Sequence, residues 1–399
     1  MLRKLFFVVI ALHICIASFA QADSSHLRIS LLTCGAGDEI WETFGHDAVR
    51  IMDSQRHTDM VFNYGTFNGF DKGFELAFMR GKLPYFLSYG PFNEFMPEYV
   101  DAHRSVQEQV FDMTGAQKEQ VYAFLQNNAL DENKYYKYDF FFDNCATRIR
   151  DILPDEKVFG AKFHYATVLP PNSQITFRDI INRYFYRQLW ERFGINILLG
   201  SRIDKVMTNK DVMFLPDYLR DGLENATVDG KHVVTPAKLI LPGSPVKPPV
   251  PDGPLMVTSA IAILTISGLF VKRLRVLGMV MSSLLLLITG LLGCLVIVMW
   301  FGTDHQGCQN NYSLLWALPT NLILAFTFNR GKSKDRYALI AIVLLLTSLV
   351  VHILRIQQML LLEMAPLLLS LLCVYGSIYR RKGQAGSPKK TVLPVESDK

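Results

Sequence analysis

The sequence predicts two parts in series: an α+β domain, then an all-α transmembrane bundle of five helices. Three observations carry this expectation. Near residue 255 the composition turns from mixed polar and aromatic to almost continuously apolar. Before that point, short alternating runs of strand type interleave with capped runs of helix type. After it, the loops between apolar runs are by turns basic and nearly free of Lys and Arg.

The chain opens with Arg3 and Lys4, an apolar run to Phe19, and the small residues of Ala20-Gln21-Ala22. This is the pattern of a secretory signal peptide, 1–22, with the mature chain starting near Asp23. Bulky Ile14 before Cys15 argues against lipid attachment there. Residues 23–240 suffice for one large domain or two small ones, and are read as one. Residues 241–254 are rich in proline and glycine and read as a linker. Residues 255–379 hold the expected spans, at 255–271, 276–300, 314–328, 337–354 and 359–379, and 380–399 form a tail. Lys272-Arg273-Arg275, the Arg330–Arg336 loop and Arg380-Arg381-Lys382 are basic, whereas residues 302–313 and 355–358 hold only Arg355. Positive charge stays inside, so the tail is cytoplasmic and the large domain lies on the opposite side. The net charge of +5 is then a topology signal. No nucleic-acid motif, zinc spacing or phosphate-binding glycine loop appears, so no nucleic acid, metal or cofactor is expected.

Within the domain, Leu27–Thr33 alternates as a strand, and Gly37–Phe44 reads as a turn. Asp47–Met52 and Met60–Tyr64 read as strands joined by a polar hairpin, and Val106–Met113 as another strand. Thr114 with Gln117, and Thr176 with Asp179, resemble capping boxes opening helices that end near Leu130 and Gly194. Tyr138–Phe142 reads as a strand leading into a helix over Cys145–Leu153.

Two residues in distinctive settings point to acyl chemistry. Cys145 follows Asp143-Asn144 on the first turn of its helix, where the helix dipole favours thiolate. His46 follows Gly45 at the head of a strand and is placed to act as base. The histidine strand precedes the cysteine helix, the reverse of the usual papain order, and in this the domain resembles circularly permuted papain-like (NlpC-like) folds. Such folds take the group that orients the imidazole from the strand after the histidine strand. That selects Asn63, with Asp59 and Tyr64 as rivals. Asp47 should face the opposite side of its strand. The backbone N–H of Cys145 is an oxyanion donor, worth about 3 kcal/mol in comparable sites. Asn144 either supports that hole or caps the helix. Arg148 either holds a phosphate or pairs with Asp143 or Asp151. His26, His57, His103, His164 and His232 lack such a setting. The competing reading of Cys145 is a disulfide with Cys34, the domain's other cysteine.

The motifs Leu31-Leu32-Thr33-Cys34-Gly35, Phe44-Gly45-His46-Asp47-Ala48-Val49-Arg50, Phe62-Asn63-Tyr64-Gly65-Thr66-Phe67 and Asp143-Asn144-Cys145-Ala146-Thr147-Arg148 together resemble the Lnb family. These are lipoprotein N-acyltransferases of Bacteroides-type bacteria. The likeness continues through Leu199–Asp204, Phe214-Leu215-Pro216 and His305–Trp316. It implies a multi-pass inner-membrane protein with its catalytic domain in the periplasm. Cys145 would take an acyl chain from a phospholipid as a thioester, and His46 would deprotonate the thiol and then the α-amine of a diacylated lipoprotein. The aromatic stretch from Phe62 to Tyr99 is either ordinary packing or an acyl groove facing the bilayer, with Arg80 and Lys82 near headgroups. His305 and Asn311 either contact headgroups or form a polar loop tip. A cell-wall cysteine peptidase or amidase and a non-catalytic membrane assembly factor are the alternatives.

Overall fold

The computed structural model describes residues 25–69, 73–152, 158, 163–245, 247–329 and 334–385, without the side chains of 75 and 381–385. Residues 1–24, which include the expected signal peptide, residues 330–333 of the basic loop and the end of the tail (386–399) lie outside the described residues. The described residues form two compact units. Residues up to 69, 84–171 and 208–245 make the first; residues 73–83, 172–207 and 247 onward make the second.

A seven-stranded sheet organises the first unit. Its strands are β1 (Leu27–Cys34), β2 (His46–Asp53), β3 (Thr58–Thr66), β4 (Pro84–Pro91), β5 (Val106–Val110), β6 (Tyr135–Lys137) and β7 (Lys238–Leu241). They are ordered β7-β5-β1-β2-β3-β4-β6, with every neighbouring pair antiparallel. Alternation buries Leu32, Cys34, Ala48, Val61 and Val106 together, packed by Phe92, Phe95 and Met96 of helix α1 (Phe92–Asp101). On Phe62 lies Tyr122 of α2 (Gly115–Asn128), and Gln109 bonds Glu224 of α4 (Pro216–Glu224). The helix that begins with the thiol, α3 (Cys145–Ile152), packs on β2 and β3.

Both expected capping boxes form: Thr114 with Gln117, and Thr176 with Asp179. Two expectations need correction. Tyr138–Phe142 is not a strand; only Tyr135–Lys137 pairs with the sheet. Asp139 Oδ1 accepts the N–H groups of Phe141 and Phe142, and this Asx turn outcompetes extended backbone. The helix opened by Thr176 stops at Tyr184, and a second runs Leu189–Leu198.

In the second unit, four helices among the described residues are long and apolar enough to cross a membrane. They are α5 (Gly253–Phe270), α6 (Arg275–Phe301), α7 (Asp335–Ile353) and α8 (Leu361–Ala385). The segment expected as a fifth span, 314–328, is not one helix. It is a 3₁₀ turn (Tyr312–Leu315), Pro319, and a seven-residue helix, Asn321–Thr327, too short to cross alone. Asn321 is fully buried at the break. It donates to Thr289 Oγ1 and accepts from the hydroxyls of Tyr337 and Tyr375.

Residues 172–207, read from composition as part of the large domain, instead pack with the membrane helices and their loops. Gly200 and Ser201 donate backbone bonds to the carbonyls of Gly307 and Asn310. Asn311 donates to the carbonyls of Ile197 and Leu198. Arg178, almost fully buried, pairs with Asp204 and donates to the carbonyls of Asn196, Leu199 and Gly200. Arg178→Met should leave the Asp204 carboxyl buried without its partner. The expected cost is about 3–5 kcal/mol, read as a lowered unfolding temperature of the full chain in detergent.

Candidate active site

The site lies at one end of the sheet, where β2 begins. Gly45, the residue before it, has φ 76°, and a Cβ there would meet the Cys34 carbonyl oxygen at 2.6 Å. Glycine alone permits this tight entry, which sets the first residue of β2, His46, opposite Cys34 of β1. On the neighbouring strand Gly65 has φ 91°. A Cβ built on it would lie 3.9 Å from His46 Cε1, 4.0 Å from Cys145 Cβ and 3.8 Å from Tyr138 Cε2. The imidazole edge, the Cys145 Cβ and one aromatic edge therefore converge over a residue that has no side chain.

His46 Nε2 and Asn63 Oδ1 are 2.5 Å apart. The amide oxygen accepts, so Nε2 carries the proton and Nδ1 is left as the ring's acceptor. The two rivals for this position are occupied elsewhere. Asp59 takes both Nε and Nη2 of Arg50, and Tyr64 is buried against Tyr136.

Cys145 is 7% exposed. The backbone N–H groups of Asp47, Ala146 and Cys145 itself point at its sulfur. They favour thiolate, as the helix start was expected to do. Burial outweighs them and leaves the thiol pKa above its usual value, so the resting group is a neutral thiol. Burial also lowers the His46 pKa, against the opposing influence of Asn63, so the ring is neutral at pH 7. The result is a neutral pair whose base is free to accept a proton, as the expected role of His46 requires. Tyr138 stacks on Tyr85 at 4.2 Å, and Phe67 meets Tyr85 edge-on at 5.5 Å, which supplies an aromatic wall beside the sulfur.

Asp47 is fully buried and follows His46 directly. Its carboxyl leaves the opposite side of the strand and accepts from Thr33 Oγ1 at 3.0 Å, while Oδ2 has no hydrogen-bond partner. Burial, with the neighbouring Cys145, pushes its pKa well up, and a neutral carboxyl does not oppose a thiolate forming nearby. Strand alternation places the Asp47 side chain correctly but is silent about its N–H, which faces the thiol.

Asn144 is a helix cap. Its Oδ1 accepts from Thr147 N, Thr147 Oγ1 accepts from Asn144 N, and its amide donates to the carbonyls of Phe140 and Phe214. The oxyanion role considered for this side chain is therefore not supported: both amide protons are engaged. Asn144→Ala removes the cap and strands two carbonyls. The expected cost is about 1–3 kcal/mol, measurable as a lowered unfolding temperature.

Arg148 pairs with Asp143 through both Nε and Nη2 and stacks over Tyr136 at 4.1 Å. Asp151 instead takes Arg150 and Lys210. The remaining predicted contacts lie in the second unit. Arg80 and Lys82 are exposed. His305 Nε2 lies 3.1 Å from the carbonyls of Phe78 and Met79. Asn311 is buried and fully engaged with Ile197, Leu198, Ser313 and Gln357, so it is a structural residue and not a headgroup contact. Cys34 and Cys145 are free thiols, so the alternative disulfide is absent from this structure. Among the described residues no cluster of histidine, cysteine and acids is arranged to hold a metal ion.

Comparison with known families agrees with the motifs. Residues 17–183 match the Lnb N-terminal periplasmic domain, and residues 251–384 match the Lnb transmembrane domain. The chain belongs to the Lnb family. Membership assigns it a periplasmic domain and a membrane domain, with an Lnb-type role in lipoprotein processing at the level of the family. No curated relative and no solved structure gives a significant match.

Proposed function

We propose that this Lnb-family protein is a cysteine-dependent lipoprotein N-acyltransferase of the inner membrane. The observation that carries the proposal is the neutral Cys145 thiol held with a neutral, Asn63-bonded His46 over Gly65. His46 Nδ1 takes the thiol proton as sulfur attacks the ester carbonyl of a membrane phospholipid. The imidazolium returns that proton to the departing lysolipid oxygen, leaving a thioester on Cys145. The α-amine of a diacylated lipoprotein then attacks the thioester, His46 takes the amine proton, and the thiolate that leaves is reprotonated from the ring. Amide and free thiol result, so no cofactor enters the balance. The backbone N–H groups at the head of α3 and at Asp47 are the donors for the developing oxyanion.

A histidine strand followed by a cysteine helix packed against it supports the permuted papain-like reading of the domain. The charge pattern also asks that the chain cross back between residues 302–313 and the basic 330–336 loop. Broken backbone is tolerated at membrane depth where protein partners satisfy it, as Thr289, Tyr337 and Tyr375 do at Asn321.

Intact-mass measurement of the full chain after mixing with phospholipid tests the chemistry. The expected result is an added acyl mass that hydroxylamine removes, transferred on addition of diacyl lipopeptide. Release of cell-wall fragments from purified peptidoglycan, with no acyl adduct, would instead establish the peptidase alternative.

A further inference from the structure

We propose that the short helix Phe74–Met79 is an in-plane membrane element that inserts in the non-cytoplasmic leaflet and seats Arg80 and Lys82 on phospholipid phosphates. Here the sidedness rests on the topology reading above. The helix has six residues, starts at Gly73 without a side-chain cap, and is far too short to persist alone. What holds it belongs to the loop that follows membrane helix α6. His305 Nε2 sits 3.1 Å from both the Phe78 and Met79 carbonyls at the helix C-terminus, where the Phe78 carbonyl also accepts from Gly81 N. One residue earlier, Asp304 N donates to the Arg80 carbonyl at 2.9 Å. The segment is thus stapled by its backbone at the level where α6 leaves the membrane.

The side chains it presents fit that level. Leu76, Phe78 and Met79 are 56%, 51% and 56% exposed, an apolar density on one short helix that water does not favour. Arg80 and Lys82 follow, both exposed and without an ion pair among the described residues. Trp300 and Phe301 stack at the adjoining end of α6, the position aromatic side chains take at a membrane–water boundary. An apolar face, flanking cations and a tether to a span end are the features of an interfacial helix. A second protein surface would account for the apolar residues but not for the tether and the unpaired cations together.

The test uses the full chain carrying Cys145→Ser in nanodiscs of phosphatidylethanolamine and phosphatidylglycerol. No acyl transfer occurs in that background, so failure here is separable from failure of the proposed chemistry. Nitroxide labels at Phe78→Cys, Lys82→Cys and the exposed control Glu132→Cys are compared for collision with oxygen, which concentrates in lipid, and with a water-soluble nickel chelate. The expected result is oxygen exceeding chelate several-fold at position 78, with the reverse at 82 and 132. Chelate dominance at 78 overturns the proposal, as does low access to both reagents, which would indicate a protein partner or second copy. His305→Ala should release the staple, raising label mobility at 78 and reducing its preference for oxygen. Arg80→Glu with Lys82→Glu should shift position 78 toward water. An unchanged label in the first variant rejects the staple, and in the second it rejects the phosphate contacts.

Discussion

Cys145→Ser should abolish acyl transfer, with turnover falling on the order of 10⁴-fold or more, while the unfolding temperature stays close to that of the parent. Serine occupies nearly the same volume in this buried position, and the N–H groups aimed at the sulfur would still find an oxygen acceptor. What is lost is acidity. A buried hydroxyl is far harder to deprotonate than a thiol, and His46, whose own pKa is lowered, is a weak base for that task. An ester on serine would also be a poorer acyl donor to an amine than a thioester. The measurement is the rate of amine acylation of a synthetic diacyl lipopeptide by the purified full chain. In cells, Cys145→Ala should cause diacylated lipoproteins to accumulate. Normal triacylated lipoproteins in that strain would remove the acyltransferase proposal and favour the assembly-factor alternative.

His46→Gln should lower turnover by about 10²–10⁴-fold, the range that positioned acid–base groups contribute. The pH profile separates a base from a merely structural histidine. Burial places the folded His46 pKa below its ordinary 6.5, and only the neutral ring accepts the thiol proton. Activity should therefore persist as pH falls through 6.5 and be lost lower, as the ring protonates. Asn63 opposes this shift, since its hydrogen bond favours the protonated ring. Asn63→Ala should move the acid limb to still lower pH while reducing turnover, because the ring loses its anchor. Asn63→Asp should move the limb upward, because a carboxylate stabilises the imidazolium. Profiles that coincide for all three proteins would dismiss Asn63 as the positioning residue.

Much of the site could be read from the linear sequence because its parts are local. Alternation over Leu27–Thr33 and Asp47–Met52 places their strands, since one face of each is buried by period two. Thr114 with Gln117 marks a helix start through a contact three residues long. The thiol setting is equally short-range, from Asp143 to Arg148. The errors share a different origin. Tyr138–Phe142 has strand composition, but Asp139 turns the backbone. For Asn144 the sequence left cap and oxyanion donor both open, and the choice of cap rests on an amide proton given to the Phe214 carbonyl, seventy positions along. The strand Pro84–Pro91 was hidden in an aromatic run whose residues serve several surfaces. Composition could not show that the apolar run at 314–328 is broken at Pro319 and buried Asn321, because the partners of Asn321 lie on three other helices.

Composition and short motifs alone determined the division into a periplasmic domain and a membrane domain, and they singled out Cys145 and His46 as the candidate thiol and base. Hydropathy, charge and turn chemistry are properties of adjacent residues, so they survive in one dimension. Only the tertiary structure decided that residues 172–207 join the membrane helices, that Asn63 reaches the imidazole, and that the resting thiol is neutral. Each of these depends on which distant side chains exclude water or donate hydrogen bonds at one point, and that is fixed when the strands and helices pack.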